Sequence, residues 1–287
     1  MITNTYKLID GIAVTLRSPE GESGTPAIIL CHGFCGIQDI LLPAFADAFT
    51  KAGFTTVTFD YLGFGASEGE RGRLVPSMQI QDILSVIDWT KTLLDIDAGR
   101  IGLWGTSLGA CHVFGAAVER PEIKCIVSQM GFADGEEIVT SSMSQEDKTA
   151  FIATLDKMAE KRKDTGKEMF VAITKVLADD ESKAFFETNK HKFPAMDIKI
   201  PFLTVRETLL YKPSDNAAKT TCPTLVVIAG KDTVNPSAQG IALYNAVASK
   251  TKSLCVMDDA SHYEIYAGEQ FNNVIQLQLN WFKEYLM

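Results

Sequence analysis

The sequence predicts an α/β domain with a mostly parallel sheet, helices on both faces and a helical insertion. Three observations predict this fold. Short apolar runs alternate along the chain with segments of helical periodicity. Those runs are apolar throughout rather than at every second position, which indicates strands buried on both faces. A stretch rich in helix formers, residues 133–215, interrupts the alternation.

The first half of the chain supplies a hairpin and a βαβ unit. Asp10-Gly11 separates alternating apolar residues between Tyr6 and Leu16, and both turn positions tolerate positive φ, which predicts antiparallel strands. The elements that follow are a strand at 27–30, a helix at 41–53, a strand at 55–60 and a helix beginning near Pro76.

The second half continues the alternation on both sides of the long helical stretch. Its predicted elements are a strand at 100–105, a helix from about 108, strands at 123–129, 224–229 and 253–257, a helix around 236–249 and a last helix. We therefore place a core domain at residues 1–132 and 216–287, and a helical cap without a convincing strand at 133–215. Insertions at the carboxyl ends of parallel strands lie over the active site. The alternative is a set of helices that packs only for stability.

Composition excludes several classes of protein. Among 287 residues, 46% are hydrophobic and 22% are charged, as in globular proteins. A net charge of −9 would repel nucleic acids and anionic membranes. The chain has no signal-peptide pattern and no apolar run long enough to span a membrane, so we expect a cytoplasmic location. Six scattered cysteines favour free thiols over a disulfide scaffold.

The segment 105–109, Gly-Thr-Ser-Leu-Gly, matches the pattern G-x-S-x-G between a predicted strand and a predicted helix. A serine on such a sharp turn adopts a strained backbone, and Gly105 and Gly109 lack the side chains that would collide across the turn. This context predicts that Ser107 is a nucleophile with its hydroxyl raised above the sheet.

A serine nucleophile needs a base and an acid to orient that base. Among four histidines, His262 follows a strand at the same edge of the sheet and comes after the best acid candidate, as the order Ser, Asp, His requires. Asp232 follows the strand at 224–229 and is our choice of acid. Asp134, after the strand at 123–129, is the alternative.

The oxyanion of an acyl-transfer reaction needs two backbone N–H donors. The N–H group of Leu108, which directly follows the nucleophile, is the first predicted donor. The segment CHGFCG at 31–36 predicts the other at Phe34, because Gly33 lets the backbone bend. His32 fits an architectural hydrogen-bonding residue better than a base, and Cys35 fits a small packing residue.

The motifs HGF, DYLGFGASEG, GTSLG, GKDTVNP and SHYEIY together make the chain resemble the α/β-hydrolase superfamily. The HYEIYAGEQF segment and the helical cap are most similar to dienelactone-hydrolase-like, polyketide-transferase-like and feruloyl-esterase-like members. The resemblance implies an α/β-hydrolase fold, a doubly wound sheet with an N-terminal hairpin and a cap. Asn235 departs from the family pattern, which frequently has valine or isoleucine nearby.

These observations predict a serine hydrolase that cleaves carboxylic esters or thioesters through an acyl-enzyme on Ser107. The alternatives are an acyltransferase with an alcohol or amine acceptor and a non-catalytic ligand-binding homologue. Apolar residues of the cap predict a medium, partly apolar acyl group: Met143, Phe151, Leu155, Met158, Phe170, Phe185 and Phe186. No cofactor or metal motif is present, and the oligomeric state stays open between a monomer and a homodimer.

Overall fold

The computed structural model describes residues 1–8 and 10–287, and its centre is an eight-stranded sheet. The strand order is β1-β2-β4-β3-β5-β6-β9-β10. The strands of the chain are β1 Ile2–Lys7, β2 Ala13–Ser18, β3 Thr25–Cys31, β4 Thr55–Phe59, β5 Ile96–Thr106, β6 Cys125–Gln129, β7 Phe170–Ala172, β8 Lys199–Pro201, β9 Thr224–Ala229 and β10 Lys252–Met257.

The predicted N-terminal hairpin is confirmed. Strands β1 and β2 pair antiparallel, β2 also pairs antiparallel with β4, and every other pair in the large sheet is parallel. Gly11 occupies the turn with a φ of 88°, a conformation that glycine adopts without steric cost. Ile9, within the predicted hairpin, lies outside the described residues.

Helices cover both faces of the sheet, as the apolar strands require. They are α1 Leu42–Lys51, α2 Pro76–Thr90, α3 Leu108–Glu119, α4 Gly135–Thr140, α5 Gln145–Thr165, α6 Asp180–Asn189, α7 Thr204–Leu209, α8 Pro213–Ala217, α9 Ser237–Ala246 and α10 Gly268–Leu286. Alternate residues of β3 enter different cores: Ile29 packs with residues of α2 and α3, whereas Ile28 packs with residues of α1 and α10. The doubly wound arrangement follows from this alternation.

Residues 133–215, which we call the inserted segment, lie between β6 and β9. They contain the helices α4 to α7 and the start of α8. The sequence prediction of a segment without strands is wrong here, because β7 and β8 form a two-stranded antiparallel pair. Each strand has only three residues, too few for a periodic pattern to appear in the sequence. A separate small core of Leu155, Val205 and Leu209 packs α5 against α7.

The parallel strands bring four loops to one edge of the sheet. These loops follow β3, β5, β9 and β10, and they contain the predicted residues Phe34, Ser107, Asp232 and His262. Within the described residues, no helix combines the length and the apolar character that a membrane crossing demands.

Candidate active site

Ser107 lies at a tight turn between β5 and α3, with a φ of 54° and a ψ of −120°. A side chain at Gly105 would place its Cβ 2.3 Å from the Gly109 carbonyl oxygen, and one at Gly109 would lie 2.3 Å from the carbonyl oxygen of Cys31. Both contacts are shorter than van der Waals distance and involve backbone, which cannot yield. The two glycines are therefore required for the turn that presents Ser107.

His262 and Asp232 form a buried pair on the loops after β10 and β9. The Nδ1 of His262 lies 2.7 Å from Oδ2 of Asp232, and the two residues are 2% and 7% exposed. The other carboxylate oxygen, Oδ1, accepts hydrogen bonds from the backbone N–H groups of Val234 at 2.8 Å and Asn235 at 2.7 Å. These bonds fix the carboxylate, which in turn fixes the imidazole with Nε2 left for another partner.

The other predicted acid lies elsewhere. Asp134 caps α4 by accepting from the N–H groups of Glu136 and Glu137, and its carboxylate binds the ammonium of Lys212. The structure therefore brings Asp232, and not Asp134, to His262.

Ser107 and His262 line the same small cleft, whose volume is about 30 Å³. Among the described residues no hydrogen bond joins them. The Ser107 hydroxyl instead accepts a long hydrogen bond of 3.4 Å from Nδ2 of Asn235. Catalytic hydrogen bonds are often long or poorly aligned before substrate binds.

The loop after β3 lies directly against the elbow. A Cβ on Gly33 would come within 2.9 Å of the Ser107 Cβ, so this position needs glycine. Phe34 and Leu108 both line a cavity that includes Ser107. In the part of the chain that the structure describes, neither of their backbone N–H groups donates to a protein acceptor. Both donors are thus free for a bound oxygen.

His32 holds this loop in shape, as the sequence predicts. Its Nδ1 accepts from the Gly33 N–H at 2.7 Å, and its Nε2 donates to the Ile40 carbonyl at 3.0 Å. Burial lowers the pKa of His32 to about 4, so the ring stays neutral near pH 7. Cys35 is likewise buried, and burial raises the pKa of its thiol well above the ordinary value.

A cavity of about 450 Å³ opens beside Ser107. Its wall is mainly apolar and comes largely from the inserted segment, through Ile138, Val139, Met143, Phe151, Val176, Leu177, Phe202 and Val205. Two charged residues, Lys175 and Asp179, also lie on the wall. This volume falls within the range of pockets for small molecules.

The apolar residues predicted for the acyl pocket divide among several places. Met143 and Phe151 line the large cavity, whereas Phe185 and Phe186 line the small cleft. Leu155 belongs to the core between α5 and α7, Met158 lines a separate surface depression, and Phe170 is 42% exposed.

Two features of the site were not predicted from the sequence. Asn235 is anchored by a hydrogen bond of 2.7 Å from its Nδ2 to the Met130 carbonyl and so reaches Ser107. The signal that could have found it is its place three residues after Asp232, in the same loop. Glu181 contacts the loops of both Asp232 and His262 from the inserted segment, and no local motif marks it.

The two remaining histidines have other surroundings. His112 is fully buried, with its ring nitrogens near the Tyr211 hydroxyl and Oε1 of Gln79. His191 is exposed in the inserted segment. Among the described residues, no group of three or more His, Cys, Asp or Glu side chains is placed to hold a metal ion.

Comparison with known proteins gives the family. Residues 26–268 match the model of the alpha/beta hydrolase fold family. The chain belongs to this family, which confirms the resemblance that the motifs indicate. It is also 61% identical to an Escherichia coli protein of 31.7 kDa from the traX-finO intergenic region, over 98% of both chains.

More distant relatives carry functional names. The chain is 26% identical to the thiohydrolase aneE of Aspergillus aculeatus, over 98% of this chain and 92% of the relative. Among solved structures, DcsB in complex with its substrate analogue is similar in fold, with a TM-score of 0.84, 20% identity and 99% coverage of both chains.

Proposed function

We propose that this protein is a serine hydrolase that cleaves carboxylic esters or thioesters through an acyl-enzyme on Ser107. The observation that carries the proposal is the buried hydrogen bond between His262 and Asp232, located at the sheet edge where the elbow presents Ser107. A buried carboxylate on Nδ1 keeps the imidazole in the tautomer whose Nε2 accepts a proton.

The first half-reaction forms the acyl-enzyme. His262 Nε2 takes the proton of the Ser107 hydroxyl as Oγ attacks the acyl carbon, and Asp232 stabilises the resulting imidazolium. The N–H groups of Phe34 and Leu108 bind the oxygen that gains negative charge. Collapse of the tetrahedral intermediate breaks the bond to the leaving group, and His262 returns the proton to the departing alcohol or thiol.

The second half-reaction releases the acid. His262 removes a proton from water as the water oxygen attacks the acyl carbon, and the same two N–H groups stabilise the second oxyanion. The bond to Ser107 then breaks, and the serine oxygen recovers a proton from His262. In the acyltransferase alternative, an alcohol or amine replaces water at this step.

The cavity supports a medium, partly apolar acyl group. Its volume of about 450 Å³ and its aliphatic and aromatic wall suit a chain longer than acetyl. We further propose that the inserted segment acts as the cap, because it supplies most of that wall. The relative named a thiohydrolase supports including thioesters among the substrates.

The test is a panel of p-nitrophenyl esters and acyl thioesters of increasing chain length, assayed with wild type, Ser107→Ala, His262→Ala and His191→Ala. We expect Ser107→Ala and His262→Ala to lose roughly 10³-fold or more of kcat/KM. His191→Ala is the matched control, since this histidine is exposed outside the site, and it should remain within twofold of wild type.

Two results would contradict the proposal. One is turnover by Ser107→Ala at the wild-type rate. The other is the absence of both turnover and fluorophosphonate labelling of Ser107 in folded wild-type protein, which would favour the non-catalytic ligand-binding homologue.

A further inference from the structure

The first turn of α6 contacts both loops of the proposed triad from the inserted segment. Oε1 of Glu181 accepts a hydrogen bond from the Tyr263 N–H at 3.0 Å, and Oε2 accepts one from the Thr233 hydroxyl at 3.1 Å. Thr233 directly follows Asp232, and Tyr263 directly follows His262. One carboxylate therefore joins the residues that come after the acid and after the base.

Two further contacts fix α6 on the histidine loop. The Tyr263 hydroxyl donates to Oγ of Ser182 at 3.2 Å, and the Tyr263 ring stacks on Phe185 with centroids 4.2 Å apart and planes 15° apart. The helix start is itself capped, because the Asp179 carboxylate accepts from the Ser182 N–H at 2.7 Å. These contacts hold the first turn of α6, which includes Glu181, against the histidine loop.

The same two loops are also joined on their strand side, where the Lys231 N–H donates to the Ala260 carbonyl at 2.9 Å. Lys231 precedes Asp232, and Ala260 lies two residues before His262. The two loops are therefore joined on both sides of the hydrogen bond between His262 and Asp232, by this backbone hydrogen bond on one side and by Glu181 on the other.

We propose that Glu181 is a positioning residue, which sets the distance between the Asp232 and His262 loops and so aims the imidazole at Ser107. This inference rests on the serine hydrolase function proposed above. The imidazole must reach both Asp232 and the reacting groups, and displacements of about 1 Å commonly cost about 100-fold in rate. Charged acceptors make strong hydrogen bonds, so the carboxylate suits this task.

A positioning role predicts a particular kinetic pattern. Glu181 does not line the large cavity, so its loss should lower kcat while KM stays within twofold. We expect a 10- to 100-fold fall in kcat for Glu181→Ala. Glu181→Gln should stay within about threefold of wild type, because its amide oxygen still accepts from Tyr263 and its NH₂ donates to the Thr233 oxygen.

The matched control is Glu187→Ala on the same helix. Glu187 is exposed and pairs with Lys190, away from the two loops. It should leave kcat within twofold of wild type. Thr233→Val removes one of the two hydrogen bonds of Glu181 and serves as the test if Glu181→Ala fails to fold. We expect its kcat to lie between those of wild type and the range predicted for Glu181→Ala.

The decisive experiment is a double-mutant cycle with His262→Ala. If Glu181 acts through the imidazole, Glu181→Ala should lower the residual kcat of His262→Ala by less than twofold, against the 10- to 100-fold fall expected in wild type. An equal fall in both backgrounds, or a change confined to KM, would overturn the positioning role. If His262→Ala alone is fully active, the proposed function itself fails, and the positioning role fails with it.

Discussion

The substitution Asp232→Asn tests the proposed triad most directly, because the structure dictates how the new amide must lie. Oδ1 of Asp232 accepts from two backbone N–H groups, those of Val234 and Asn235. An amide NH₂ at that position would face two donors, so the amide oxygen stays there. The NH₂ then faces His262 and forces Nδ1 to accept, which places the ring proton on Nε2, where the base must be free.

The expected loss follows from this geometry. Flipping the amide would sacrifice two hydrogen bonds at about 1 kcal/mol each, which keeps the inactive arrangement favoured by roughly 2 kcal/mol. The imidazolium also loses its carboxylate partner. Together these effects predict a fall in kcat of about 10⁴-fold, the size typical of this substitution in Ser-His-Asp enzymes and equal to about 5.4 kcal/mol of activation free energy.

The assay is kcat on the best p-nitrophenyl ester, with folding checked by circular dichroism and contaminating wild type by active-site titration. Asp134→Asn is the control, because Asp134 caps α4 and binds Lys212, and an asparagine can still cap the helix. Its kcat should remain within threefold of wild type. Activity of Asp232→Asn within 30-fold of wild type would refute the reasoning.

Three further predictions concern the oxyanion loop, a buried ion pair and the pH dependence of stability. Gly33→Ala should lower kcat by about 10-fold or more in the ester assay, because its Cβ would lie 2.9 Å from that of the nucleophile and displace the loop. Glu168→Ala should cost about 1.5 kcal/mol in urea unfolding, since Arg73, whose side chain is 9% exposed, loses one of its two carboxylate partners and keeps Glu70; no loss of stability would contradict this. Burial lowers the pKa of His112 to about 3 and that of His32 to about 4, below the ordinary 6.5. The unfolded chain therefore binds protons that the folded chain does not, so urea midpoints should fall as pH drops from about 7 to 4, and less steeply in a folded His112→Gln variant.

The large sheet and the position of the candidate site can be predicted from the sequence, because both depend on local signals. Apolar runs mark the strands β3 to β6, β9 and β10, and the glycines around Ser107 mark a turn that only small residues allow. Once strands are parallel, their carboxyl ends share one edge, so loops distant in sequence are brought together. The proximity of His262 to Asp232 follows from that rule.

The contacts that sequence reasoning missed join residues far apart in the chain. Glu181 lies 52 positions from Thr233 and 82 from Tyr263, and Asn235 lies 128 positions from Ser107. Neither side chain has a motif, because its role depends on how the inserted segment and the loops pack. Strands β7 and β8 escaped prediction for a related reason, since tertiary pairing stabilises three-residue segments that have no pattern of their own.

The two spaces beside Ser107 divide the proposed reaction. The large cavity is lined by Ser107, Phe34 and Leu108, and suits the acyl chain and the oxyanion, whereas the small cleft is lined by Ser107 and His262. In the proposed reaction His262 exchanges protons with the leaving group and with water, so both approach from the cleft side, by microscopic reversibility. The cleft is small and its wall includes Phe185 of α6, the helix that also holds the two triad loops. The helix that fixes the loops of Asp232 and His262 therefore also narrows the space on the His262 side of Ser107.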